Sequence, residues 1–183
     1  MDRMIVELYK DFKVNDGGHI CYLYNNESNY MTNVVSFIVT GIRNGDYILL
    51  LENDRNILQI KEMLQNELSE KELTYLLFIN NFDFYYSYGN FHPHTIVNHF
   101  VENIEPHLQK GASICTWGLV EWREDKEIHK NIAEYEEQIH KIVNEKGIVS
   151  VCAYDASRTS DSLKKVLHNC HGVLMSDEKV INL

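Results

Sequence analysis

Apolar residues in this chain gather in short continuous runs, separated by longer stretches in which they recur every three or four positions. The runs are "HICYLY" (19–24), "YILLLE" (47–52), "LTYLLFI" (73–79), "SICTWGLVEW" (113–122) and "IVSVCAYD" (148–155). Runs with so little polar alternation suit strands buried on both faces of a parallel sheet. The intervening stretches carry Tyr30, Val34, Phe37 or Ile38, and Ile42. They continue with Ile57, Ile60, Leu64 and Leu68, and then with Ile96 or Val97, Phe100 or Val101, Ile104 and Leu108. Further on come Ile128, Ile132, Tyr135, Ile139 and Ile142, and last Leu163, Val166 or Leu167, and Cys170. Each spacing predicts a helix with one apolar face. A short helical lead-in covers 5–12, and "GVLMS" with "KVINL" predicts a terminal strand pair.

The punctuation agrees. Asp54 and Ser160 stand where helix caps belong, and Pro93 occupies a first helical position. Gly111 and Gly147 follow helix ends, and Gly45-Asp46 makes a turn. Residues 82–91, "FDFYYSYGNF", have six aromatics and no period, which predicts a loop or small insertion, either a lid over an apolar pocket or packing against the sheet. Strand–helix alternation of this kind specifies an α/β fold, a mostly parallel sheet with helices on both faces and a terminal antiparallel β-element. Two prolines, nine glycines and no linker or repeat argue for a single domain over 1–183, its core at about 17–183 behind a short N-terminal helix at 1–16.

Composition narrows the function classes. The chain has 17 basic and 27 acidic residues, net charge −10, with no basic patch, which argues against a nucleic-acid partner. No segment has the apolar length of a signal peptide or a membrane helix, so the expected setting is cytoplasmic, with no membrane partner. Cys21, Cys115, Cys152 and Cys170 form no C-x-x-C pair and read as buried free thiols.

In open α/β sheets ligands bind at the carboxyl ends of the strands. Those exits carry Tyr24-Asn25-Asn26-Glu27, Glu52-Asn53-Asp54, Asn80-Asn81, Glu121-Trp122-Arg123, and Asp155 with Ser157 and Arg158. The first strand-to-helix junction sits where a phosphate loop would, yet Asn25-Asn26-Glu27-Ser28 has neither glycine nor lysine. No nucleophile elbow is present, so no catalytic residue is assigned. Nine histidines invite a metal reading, and His168 and His171 of "HNCH" have a chelating spacing. Without H-E-x-x-H or a cysteine pair, neither metal nor other cofactor is expected. His19, which opens the first strand, reads as a hydrogen-bonded structural residue.

Taken in order, "GGHICYLYNNE", "FIVTGIRNGDYILLLEN", "YSYGNFHPHTIVNHF", "WGLVEW", "EYEEQI" and "VCAYDASRTSDSLKKVLHNCH" resemble the MEDS domain, the methanogen/methylotroph, DcmR-type sensory domain. The matching positions are His19, Cys21 and Tyr24; Phe37, Gly41, Gly45 and Asp46; Tyr85, Gly89 and Phe91; Gly118 and Trp122; Tyr135-Glu136; Cys152, Tyr154 and Asp155; and His171. Two positions depart: Leu119 stands where the family often has Glu, and Gly172 follows the late histidine where Pro is usual.

The resemblance implies a RecA-like three-layer sandwich without its phosphate loop, in which Glu52 would match a catalytic acid. It also implies a non-enzymatic sensor of prokaryotic signal transduction that binds a small organic molecule. With no room for an output module, the chain would act through a signalling or transcription-regulatory protein, and a homodimer is compatible with that. The expected ligand-binding set is Tyr24, Trp122 and Tyr154 as walls, Glu52, Asp155 and Arg158 as polar anchors, with Glu121 nearby and His19 a weaker member. The alternatives are a ligand-free protein–protein adaptor and a residual nucleotide-binding, ATPase-like protein.

Overall fold

The computed structural model describes residues 2–124 and 126–182. Its elements are α1 (Arg3–Val14), β1 (Gly18–Tyr24), α2 (Glu27–Arg43), β2 (Tyr47–Glu52), α3 (Asp54–Gln65), α4 (Glu70–Leu73), β3 (Leu76–Asn80) and α5 (Asn81–Tyr85). They continue with α6 (Pro93–Gln109), β4 (Ile114–Leu119), α7 (Ile128–Lys146), β5 (Val149–Asp155), α8 (Asp161–Asn169), β6 (Val173–Ser176) and β7 (Val180–Asn182). The strands form one sheet in the order β3-β2-β4-β5-β1-β6-β7. Every neighbouring pair is parallel except β6–β7, which closes the edge as an antiparallel pair.

Each sheet face has its own core. On one, Ile20, Tyr22, Leu50, Trp117 and Val151 pack under Ile5 and Tyr9 of α1, Val34 and Phe37 of α2, and Ile57 and Ile60 of α3. On the other, Cys21, Leu23, Leu49, Cys152 and Tyr154 pack under Phe84 of α5, Phe100 and Ile104 of α6, Tyr135 and Ile139 of α7, and Leu163 and Leu167 of α8. The outcome is a three-layer sandwich, and the two sets alternate along each strand as the pleat requires.

Local chemistry sets the boundaries. Asn26 caps α2 by accepting from the Asn29 amide at 3.0 Å, and Ser160 caps α8 by accepting from Leu163 at 3.2 Å. Pro93 opens α6, and Gly147 ends α7 in the left-handed region at φ 64°. The entry to β1 needs glycine twice: Gly17 has φ +96°, and a Cβ on Gly18 would lie 2.4 Å from the Phe12 ring.

Three local expectations are corrected. Asn53, not Asp54, caps α3, accepting from the Asn56 amide at 2.8 Å. The third strand begins at Leu76, because Ser69 and Glu72 form a capping box that winds 70–73 into a helical turn. The stretch expected as a loop begins with a helix, α5, which the Asn80 side chain caps. Its aromatics pack: Phe84, Tyr85 and Phe91 are buried, and Tyr85 stacks on Phe91 with ring centroids 5.5 Å apart.

Candidate functional site

The carboxyl ends of β1, β2, β4 and β5 open onto a cleft of about 220 Å³, lined by Tyr24, Glu27, Tyr30, Asn53, Glu121 and Asp155 among others. Its carboxylates are held in place. Glu121 accepts from the Asn53 amide nitrogen at 3.2 Å and from that of Asn81 at 2.9 Å. Asp155 accepts from the Ser157 backbone N–H at 2.8 Å and its hydroxyl at 2.6 Å. Arg55, the one cation on the cleft wall among the described residues, is paired with Glu27 at 2.8 Å. The field is therefore negative, and it acts on Tyr24: burial, then Asp155, Glu121, Glu52 and Glu27, push its phenol well above the usual range. Behind the wall Glu52 is fully buried, accepting from the Tyr30 hydroxyl, the Asn53 N–H (2.9 Å) and the Asn56 amide (3.1 Å). Burial raises its carboxyl to about 7 despite these donors.

At the junction between β1 and α2, the position of a phosphate loop, the chain supplies its own anion. Asp177, from the turn between β6 and β7, accepts from the backbone N–H groups of Asn25 (2.8 Å) and Asn26 (3.0 Å), and from the Tyr22 hydroxyl (2.6 Å). A carboxylate thus takes the N–H groups that would face a phosphate at this helix N-terminus.

Toward the amino-terminal ends of β1 and β5, on the face covered by α7 and α8, four chemically active side chains meet. They are His19, Glu136, Cys152 and His171, all buried, each offering a ligand-type atom within 4.8 Å of the others. Glu136 Oε2 lies 3.3 Å from His19 Nε2 and 3.2 Å from His171 Nε2, and His19 Nε2 lies 3.4 Å from Cys152 Sγ. The two imidazoles stack with centroids 4.0 Å apart, and the Tyr154 hydroxyl donates to Glu136 Oε1. His19, Glu136, Cys152, Tyr154 and His171 are among the residues whose order along the chain resembles a sensory-domain family, and here they form one constellation. The model of that family, MEDS, the methanogen/methylotroph, DcmR sensory domain, matches residues 18–172. The chain belongs to the MEDS family.

Solved structures locate the MEDS fold more widely. A KaiC-like protein from Pyrococcus horikoshii superposes with a TM-score of 0.54 at 11% identity, covering 87% of this chain and 70% of that one. The flagellar accessory protein FlaH from Methanocaldococcus jannaschii gives 0.55 at 12% identity, with coverages of 87% and 70%. At such identities the likeness establishes the scaffold alone, which is RecA-like. No curated protein sequence matches the chain.

The expected ligand-binding residues of this MEDS domain divide among three places. Tyr24, Glu121 and Asp155 line the exit cleft, and Glu52 stands directly behind it. Trp122 is half-buried, its ring 6.1 Å from that of Tyr154, and exposed Arg158 lies over it, with the guanidinium 5.3 Å from the indole and donating to the Trp122 carbonyl at 2.9 Å. Tyr154 is wholly buried and joins the His–Glu–Cys cluster, as does His19. His168, matched by spacing to His171, is exposed and is not a member of that cluster.

Glu136, Cys152 and His171 escape a reading based on spacing because Glu136 and His171 are 35 positions apart and His19 and Cys152 are 133 apart. One local signal was available: Glu136 interrupts the apolar stripe of α7 and is fully buried on it, which a carboxylate does only for a partner. Two larger grooves, about 560 Å³ between α8 and β6 and about 500 Å³ beside edge strand β3, gather none of these groups.

Proposed function

We propose that this MEDS domain is a non-enzymatic sensor whose exit cleft binds a small organic cation and whose liganded state is read by a regulatory protein. The observation that carries the reading is the cleft's own chemistry: aromatic Tyr24 beside the fixed carboxylates of Glu121 and Asp155, with Arg55 already committed to Glu27. An ammonium group finds there both a π face and hydrogen-bond acceptors. Nucleotide turnover is disfavoured on two grounds. The junction offers no lysine, and its N–H groups are already taken by Asp177. A cleft of about 220 Å³ suits a compact ligand rather than a nucleoside triphosphate.

Thermal-shift and calorimetric titration with small alkylamines, their neutral alcohol analogues, matched carboxylates and magnesium–ATP tests this. The expected result is saturable stabilisation by an amine, lost in Glu121→Gln and Asp155→Asn. Stabilisation by none of them would favour the adaptor reading, and magnesium-dependent ATP turnover abolished by Glu52→Gln would overturn the non-enzymatic one.

A further inference from the structure

We infer that His19, Glu136, Cys152 and His171 form a binding site for a divalent transition metal of the zinc class. The argument begins with protons. His171 Nδ1 lies 2.7 Å from the Leu167 carbonyl, and His19 Nδ1 lies 3.2 Å from the Cys170 carbonyl. A carbonyl only accepts, so each ring carries its proton on Nδ1, and each neutral Nε2 presents a lone pair. Both Nε2 atoms lie within 3.3 Å of the same atom, Glu136 Oε2, which is itself an acceptor. Glu136 Oε2 and His171 Nε2 are buried polar atoms without a hydrogen-bond partner, and all three side chains are wholly shielded from water. Converging acceptors in a dry interior repel one another unless a cation lies between them.

A proton answers only part of this. Placed on His171 it would satisfy one contact to Glu136 and leave His19 Nε2 facing the same oxygen, with the Cys152 thiol at 3.4 Å as its donor. A metal ion answers all of it. With bonds of roughly 2.0–2.3 Å, ligand atoms around a tetrahedral ion stand about 3.3–3.6 Å apart. Three of the six separations, at 3.2, 3.3 and 3.4 Å, come close to those edges, and all four ligand atoms lie within 4.8 Å of one another.

The supporting bonds match as well. Metal-bound histidines characteristically donate their second N–H to a carbonyl or carboxylate, as both do here, and the Tyr154 hydroxyl holds the other oxygen of Glu136. Two imidazoles, a carboxylate and a thiol favour zinc-class ions over magnesium or calcium. All four positions are filled by the protein, so the site holds an ion rather than activating water on it.

The test uses the full, untagged chain, stripped with a chelator and titrated with Zn²⁺ alone and with Co²⁺ alone. Stoichiometric uptake is expected, with intense tetrahedral ligand-field bands and a thiolate-to-cobalt charge-transfer band. Cys152→Ser should remove the charge-transfer band and weaken Co²⁺ binding by more than the roughly 10- to 100-fold that losing a supporting hydrogen bond costs. Cys115→Ser, on the opposite face of the sheet, should change neither. Circular dichroism verifies that each variant is folded. Folded wild-type chain that takes up neither ion overturns the assignment, and so does a charge-transfer band that survives in folded Cys152→Ser. If Cys152→Ser does not fold, the wild-type titration decides alone. Failure of amine binding at the exit cleft leaves this result untouched, since the two sites share no residue.

Discussion

At the scale of single residues, Glu52 shows how burial changes the character of a carboxylate. It is fully buried, and burial raises its carboxyl from an ordinary 4.5 to about 7. A raised folded-state value means that the folded protein holds this proton more tightly than the unfolded chain does. Glu52's contribution is therefore fully present below about pH 4.5 and is lost as pH rises through about 7. The span corresponds to about 3 kcal/mol, a large share of the stability of a domain this size. Glu52→Gln removes the titration while keeping an acceptor for the Asn53 N–H and the Asn56 amide. Urea denaturation between pH 5 and 8 should show the wild type losing stability relative to Glu52→Gln as pH rises. Curves that stay parallel across that range would show that the buried carboxyl does not govern this part of the pH profile.

At the scale of elements, the junction between β1 and α2 turns on Asp177, a residue 151 positions away from Asn26. Its carboxylate serves two backbone donors and one hydroxyl at a helix N-terminus, where negative charge is favoured. Asp177→Ala should cost about 1–2 kcal/mol in equilibrium denaturation, within the range of lost caps and charge-assisted bonds. Inorganic phosphate should then stabilise Asp177→Ala more than the wild type, because the freed N–H groups regain an anion. Equal phosphate effects on both would place the loss elsewhere in the β6–β7 turn.

The same scale shows what could be read beforehand. Strands β2 and β5 follow from unbroken apolar runs, and α6 and α7 from Pro93 and Gly147, because those signals are local. The helix over 81–85 was hidden because its cap, Asn80, reads equally well as the start of a loop. Tyr24, Glu121 and Asp155 could be placed at one edge from strand direction alone. That Asp177 and His171 bear on the two ends of β1 depends on β6 lying beside it, a pairing that no short pattern encodes.

At the scale of the whole molecule, β6 joins two ends of the domain. His171 stands just before it in the metal constellation, and Asp177 just after it, on the β1–α2 junction beside the exit cleft. β6 is only four residues long and is held by β1 on one side and β7 on the other. Fixing His171 therefore limits how far the start of β6 can move, and so how steadily Asp177 can hold the first turn of α2. The coupling needs no contact between the sites, only a short strand anchored at both ends. Hydrogen exchange with and without Zn²⁺ tests it. Zinc should slow exchange in β6, in β7 and in the first turn of α2, and leave β2, β3 and α3, on the far side of β4 in the sheet, unchanged. Asp177→Ala should abolish the zinc effect at α2 while keeping it at β6, since the strand would still be fastened but its grip on the helix would be gone. Uniform protection across both halves of the sheet would instead indicate global stabilisation by the ion, with β6 carrying no directed connection to the cleft.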